Sequence, residues 1–138
     1  MPFGKSINSP LAMPSQNDPF FRLLCVDDNP ALLQALKLGF GAYGFEVVTA
    51  LHGFDALMRF QAHNGNFAAI LTDTNMPNMN GVVLVKYLRV LGYRGPILVM
   101  SGGLTVSDGR AYQDYAVSGF LSKPFEISMV ATMLMQAD

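Results

Sequence analysis

Five short apolar runs punctuate the chain, at residues 23–26, 47–50, 68–72, 97–100 and 119–121. Most are rich in strand-forming side chains and too short for helices. Longer segments with helical spacing lie between them. Residues 31–43 carry Leu32, Leu33, Leu36 and Phe40, residues 54–63 carry Phe54, Leu57, Met58 and Gln61, and residues 82–91 carry Val82, Val85, Leu88 and Val90. A weaker segment covers 106–115 and a last one 126–136. Strands and helices that alternate through short connections predict a parallel sheet covered on both faces.

Turn and cap residues set the register. Asn29 suits an N-cap, and Pro30 suits the first helical turn, where its missing N–H costs nothing. Gly44 is placed to end the first helix. Gly92 and Gly95 end the third, and Pro96 stops its continuation. Gly109 interrupts the fourth segment, and Ser107-Asp108 favours a turn or a new cap, so that helix is expected to be short or mobile.

Residues 1–19 break the pattern. Pro2, Pro10, Pro14 and Pro19 alternate with small polar residues, which predicts a flexible N-terminal arm ahead of one domain spanning 20–138. The chain's 138 residues suit one core. Hydrophobic residues make up 51% and charged ones 14%, and the formal net charge is -1, so no basic footprint points to nucleic acid. Cys25 is the only cysteine, which rules out an internal disulfide and fits a reducing compartment. Its place in an apolar run predicts a buried strand residue. No apolar stretch approaches the ~20 residues of a membrane helix, and no apolar region follows Lys5 as in a secretory signal. A cytoplasmic location is expected, with no membrane contact.

The chemistry gathers at predicted strand ends. Asp27 and Asp28 follow the first strand, Asp73 closes the third, Ser101 the fourth, and Lys123 follows the fifth. Open parallel sheets bind ligands outside the carboxyl ends of their strands. Three of only ten acidic residues would therefore meet at one edge. Crowded carboxylates repel and raise one another's pKa. A hard divalent cation resolves that conflict, and Mg²⁺ takes one or two carboxylates together with water and phosphate oxygens. Asp73 would then serve as metal ligand and as carboxylate nucleophile toward phosphorus. Lys123 would supply a charge for a phosphate oxygen and Ser101 a hydroxyl.

The segments Leu24-Cys25-Val26-Asp27-Asp28-Asn29-Pro30, Thr72-Asp73-Thr74-Asn75-Met76-Pro77 with Gly81, Val99-Met100-Ser101-Gly102, and Leu121-Ser122-Lys123-Pro124-Phe125 resemble the receiver domains of two-component signalling. The resemblance runs from about Phe21 to the C-terminus. It implies a doubly wound α/β fold, (βα)5 and flavodoxin-like, with a five-stranded parallel sheet in the order 2-1-3-4-5. It makes Asp73 the phosphoacceptor, and Asp27, Asp28, Asp73 and the Asn75 backbone carbonyl the ligands of Mg²⁺, with Mn²⁺ as a substitute. Ser101 becomes the switch hydroxyl, Lys123 the phosphate-binding cation, and Lys123–Pro124 a cis peptide bond. Phe120 stands where the family carries its switch aromatic, which turns inward in the active state. Gly102 keeps the aspartate accessible, and Gly103 with Asn75 flanks the approach of water.

The implied function is a phosphorylation-activated switch rather than an enzyme in the usual sense, although it assists its own phosphorylation and dephosphorylation. A histidine kinase or histidine phosphotransfer protein would be the donor, docking near the first helix. The fourth helix, fifth strand and fifth helix would form the output face toward an unidentified downstream protein or a second copy of the chain. Read as complete from Met1 to Asp138, the chain leaves room for one helix after Lys123 and no effector domain.

Other readings compete. Asp27 and Asp28 could simply favour a helix N-terminus, but Asn29 and Pro30 already start that helix. A haloacid-dehalogenase-type phosphatase shares the aspartate nucleophile but needs a second Asp two residues later, where this chain has Asn75. A binding-only receiver relic normally lacks part of the acidic set or the lysine. A flavin-binding protein of similar topology would find its phosphate repelled by Asp27 and Asp28. His52 and His63 have no ligand partners at metal spacing and read as ordinary residues. The methionines, Met76, Met79, Met129, Met133 and Met135 among them, read as gap-filling core or interface residues.

Overall fold

The computed structural model of the chain describes residues 21–103 and 106–136, without side-chain detail for residues 106–108. The expected arm, residues 1–19, lies outside the described residues. Five strands, β1 (Arg22–Val26), β2 (Glu46–Ala50), β3 (Ala69–Asp73), β4 (Ile97–Ser101) and β5 (Gly119–Ser122), alternate with five helices. The helices are α1 (Pro30–Gly41), α2 (Gly53–Ala62), α3 (Gly81–Val90), α4 (Val106–Tyr112) and α5 (Ile127–Gln136). The strands form one parallel sheet in the order β2-β1-β3-β4-β5, as expected.

The period of two along each strand divides the core. Leu23 and Cys25 on β1, Ala69 and Leu71 on β3, and Leu98 and Met100 on β4 pack with Leu33, Leu36 and Phe40 of α1 and Val130 and Ala131 of α5. Leu24, Val26, Ile70, Ile97 and Val99 face the other way, toward Ala56 and Phe60 of α2, Leu84, Val85 and Leu88 of α3, and Tyr112 of α4. The central strands are buried on both faces. Cys25 is fully buried, and burial pushes its thiol up to about 12.

The helix ends follow local chemistry. Asn29 accepts from the N–H groups of Ala31 and Leu32, with Pro30 in the first turn as expected. Asn80 caps α3 by accepting from Val83. His52, expected to be an ordinary residue, caps α2: its Nδ1 accepts from the Asp55 N–H at 3.2 Å. Gly44 and Gly92 take positive φ, 93° and 99°, which suits glycine just past a helix.

Two helix faces differ from the periodicity reading. On α2 the buried residues are Gly53, Ala56 and Phe60, while Phe54 and Met58 are exposed. On α3 they are Gly81, Leu84, Val85 and Leu88, while Val90 is exposed. Both segments carry apolar residues on more than one side, so spacing alone cannot select the inward face. Gly53 and Gly81 bring their helices close: a Cβ on Gly53 would run into Met79, and one on Gly81 would lie 2.5 Å from the Asp73 carbonyl oxygen. Met76 and Met79 fill the core as expected, whereas Met129, Met133 and Met135 are exposed on α5. α4 is short, seven residues followed by a 3-10 turn at Gln113–Tyr115.

Candidate functional site

Parallel strands all end on the same side, so the residues that follow them share one edge. Asp27 is 1% exposed and Asp73 8%, while Asp28 is exposed. The three carboxylates offer oxygens that all lie within 4.8 Å of one another. Burying such a set is costly unless cations or N–H donors compensate it.

Lys123 supplies the cation. Its Nζ lies 2.6 Å from Asp27 Oδ2 and 3.2 Å from Asp73 Oδ1. Backbone donors help: the Asn29 N–H donates to Asp27 Oδ1 at 2.9 Å and the Thr74 N–H to Asp73 Oδ1 at 3.0 Å. Burial, and then the charge of Asp27, hold the Asp73 carboxyl above its usual range, while Lys123 and the Thr74 N–H offset part of that rise. Burial alone would pull the Lys123 ammonium down, but its hydrogen bond to Asp27 and the charges of Asp27 and Asp73 outweigh it and raise it. Lys123 is held here by its own backbone, since its N–H donates to the Ser101 carbonyl at 2.8 Å, and the Lys123–Pro124 bond that follows is cis.

Ser101 is buried at the end of β4, and its Oγ accepts from the Gly103 N–H at 3.1 Å. Gly102 and Gly103 are exposed, and a Cβ on either would meet nothing within 4 Å, so packing does not demand glycine there. Asn75 is exposed in the loop after β3. Phe120 is 41% exposed, and its ring meets that of Tyr112 edge-on. The structure thus gathers Asp27, Asp28, Asp73 and Lys123 tightly, sets Ser101 on the neighbouring strand, and leaves Asn75, Gly102 and Phe120 at the margins.

Two residues at this edge were not singled out by sequence. Thr74 is buried beside Asp73, and its hydroxyl lies 2.6 Å from the hydroxyl of Tyr112. Tyr112 is fully buried although it ends the shortest of the five helices. Its signal was an aromatic in a weak segment, which periodicity passes over. Farther from the edge, Arg89 donates to the carbonyls of Tyr93, Gly95, Tyr115 and Ala116 at 2.8–2.9 Å.

The donor set fits a hard divalent cation. It is all oxygen, it is partly buried, and its charge exceeds what Lys123 alone balances.

Comparison with known proteins agrees. The model of the response regulator receiver domain family matches residues 23–135. The transcriptional regulatory protein PrrA of Mycobacterium tuberculosis is 36% identical over 107 residues, covering 78% of this chain and 45% of PrrA. The chain therefore spans about half the length of that relative. The sensor histidine kinase RcsC of Escherichia coli is 29% identical over 120 residues, covering 87% of this chain and 12% of RcsC. Among solved structures, the chemotaxis protein CheY4 of Vibrio cholerae matches with a TM-score of 0.75 at 29% identity, covering 83% of this chain and 96% of that one. A chain of the CheX–CheY–BeF3–Mg²⁺ complex from Borrelia burgdorferi matches at a TM-score of 0.76 and 21% identity, over 86% and 90% of the two chains, and shares the fold. Because strand order, acidic edge and a family match over almost every described residue agree, the chain belongs to the response regulator receiver domain family, the signalling domain of two-component systems.

Proposed function

We propose that this chain is a phosphorylation switch whose acceptor is Asp73. The observation that carries the reading is the cluster of three carboxylates within 4.8 Å, with Lys123 bridging Asp27 and Asp73. A carboxylate oxygen of Asp73 attacks the phosphorus of a phosphohistidine. The P–O bond forms as the P–N bond breaks, and the imidazole nitrogen keeps the electron pair and takes a proton. Lys123 turns from Asp73 toward the phosphoryl oxygens, and Ser101 donates its hydroxyl to another. Asp27, Asp28, Asp73 and the Asn75 carbonyl would hold Mg²⁺, which when bound supplies divalent charge against the carboxylates and the phosphoryl oxygens. Gly102, Gly103 and Asn75 border the route by which water hydrolyses the acyl phosphate.

The donor would be a histidine kinase or a histidine phosphotransfer protein docking beside α1, and the occurrence of a similar segment within a sensor histidine kinase supports that chemistry. The added charge of about -1.5 to -2 shifts a two-state equilibrium. Output passes through α4, β5 and α5 to a downstream protein or a second copy of the chain, where Phe120, Met129 and Met133 are exposed. The phosphatase alternative lacks its second aspartate, because Asn75 stands there. No helix among the described residues is long and apolar enough to cross a membrane.

The test is intact-mass measurement after incubation with acetyl phosphate and Mg²⁺. A labile gain of one phosphoryl group, absent with Asp73→Asn and with EDTA, is the expected result. A gain that survives Asp73→Asn would place the acceptor elsewhere, and no gain despite Mg²⁺ binding would favour a binding-only domain.

A further inference from the structure

A chain of contacts leads from Asp73 through Thr74 to Tyr112 of α4. Thr74 is fixed on both sides: its N–H donates to Asp73 Oδ1 at 3.0 Å, and its carbonyl accepts from the Gly81 N–H at 2.9 Å. Its hydroxyl, buried, meets the Tyr112 hydroxyl at 2.6 Å. Among the described side chains of α4, Tyr112 is the only buried one; Arg110 and Ala111 are exposed. Tyr112 is thus the anchor that sets how this end of α4 sits on the sheet.

The packing around Tyr112 is tight. A Cβ on Gly81 would lie 2.5 Å from its hydroxyl, so the phenol occupies space that only glycine leaves open. On the other side the ring meets Phe120 edge-on, with centroids 5.8 Å apart and planes at 73°. Phe120 is a register partner of Val99 and faces the same side of the sheet as Tyr112. Because the two rings already touch and Tyr112 is fully buried, an inward turn of Phe120 would press on the Tyr112 ring. The Phe120 side chain can therefore move in only after Tyr112 yields.

We infer that Tyr112 is the gate of this switch: its hydrogen bond to Thr74 holds α4 in the resting position and keeps Phe120 outward until Asp73 is phosphorylated. The inference rests on Asp73 being the phosphoacceptor. Modification of the Asp73 carboxylate disturbs the oxygen that receives the Thr74 N–H, and Thr74 passes the disturbance to Tyr112 through its hydroxyl. Linkage then sets the sign. A contact present in the resting state and lost in the phosphorylated one opposes phosphorylation by its own free energy. Removing either hydroxyl should make the domain react faster, an outcome that mere loss of stability would not produce.

The experiment compares phosphorylation by acetyl phosphate with Mg²⁺, followed by intact mass, in the wild-type chain, Tyr112→Phe, Thr74→Val and the double variant. Both single changes keep the shape of the side chain. Each is expected to speed phosphorylation about three- to tenfold, the worth of one hydrogen bond, and the double variant to be no faster than either single one. Amide exchange across residues 109–116 should rise in Tyr112→Phe before any donor is added. Rates equal to or below wild type, or effects that multiply in the double variant, would overturn the gate. Label on the wild-type chain separates the two levels: if the wild type takes no phosphoryl group, the acceptor reading fails and the gate with it. If it does and the variants match it, the gate alone fails.

Discussion

The acidic pocket and the α4–β5 edge lie on neighbouring parts of one sheet, yet they are held in different ways. In the pocket, charged side chains from the end of β3 and the segments after β1 and β5 meet directly, and Asp27 and Asp73 are buried at the ends of strands that are themselves buried on both faces. The α4–β5 edge has an exposed Phe120, a seven-residue helix and a strand with one buried residue in four. Among the described side chains, Tyr112 ties it down through Thr74 and Arg89 through the carbonyls of Tyr115 and Ala116. The pocket is where chemistry needs fixed geometry. The edge is where a signal needs an element that can be displaced at modest cost. If the proposed switch holds, the division between receiving and responding would be built from the kind of contact used in each region.

The strongest way to break the pocket is to remove its cation. Lys123→Met leaves Asp27 and Asp73 facing each other without a counter-charge. The expected loss is roughly 3 kcal/mol in urea unfolding, the usual cost of orphaning a buried charge, and added Mg²⁺ should restore part of it. A variant as stable as wild type would mean that backbone donors alone satisfy Asp27.

The edge should lose less when its clamp is cut. Arg89→Met removes donors to the α3–β4 and α4–β5 connections, and about 2 kcal/mol should go with them. Amide exchange should rise at residues 113–118 while β1 and β3 stay protected. Equal loosening of both regions would dissolve the distinction between them.

The smallest effect concerns Asp73 itself. Its pKa is raised in the folded state, chiefly by burial and then by Asp27. The folded protein therefore takes up this proton more readily than the unfolded chain does. The charged carboxylate costs stability above the folded-state pKa, and the cost is relieved as pH falls through it. Without divalent cation, Asp73→Asn should be more stable than wild type at neutral pH by under about 1 kcal/mol, and the gain should shrink on acidification. A loss would show that attraction to Lys123 outweighs the repulsion, and a gain independent of pH would show that the carboxylate charge is not its source.

Much of this was legible along the chain. Strand lengths, the cap at Asn29-Pro30 and the glycines after α1 and α3 are local matters, decided within a few residues, and they came out as read. The inward faces of α2 and α3 could not be read from spacing, because Phe54, Met58 and Val90 are as apolar as the residues actually buried. Small residues, Gly53, Ala56 and Gly81, face the core there because close approach of helix to strand is a property of the pair. The cap role of His52 went unnoticed because histidine is not among the common N-cap residues, and Asn80 was passed over in favour of the strand-end residues.

By itself, then, the order of residues determined the parallel α/β architecture and which polar residues stand at strand ends, because both follow from period and position alone. It also determined the chemical character of the site, an all-oxygen acidic set beside one lysine. Only the tertiary structure decided that Lys123 bridges Asp27 and Asp73, that Arg89 pins two connections at once, and that Tyr112 rather than Phe120 fills the space beside Thr74. The longest of those contacts, Lys123 to Asp27, joins residues 96 positions apart, and Arg89 reaches Tyr115 across 26. Which distant side chain wins a given space is settled by competition for volume and hydrogen-bond partners in the folded core, and no local pattern records it.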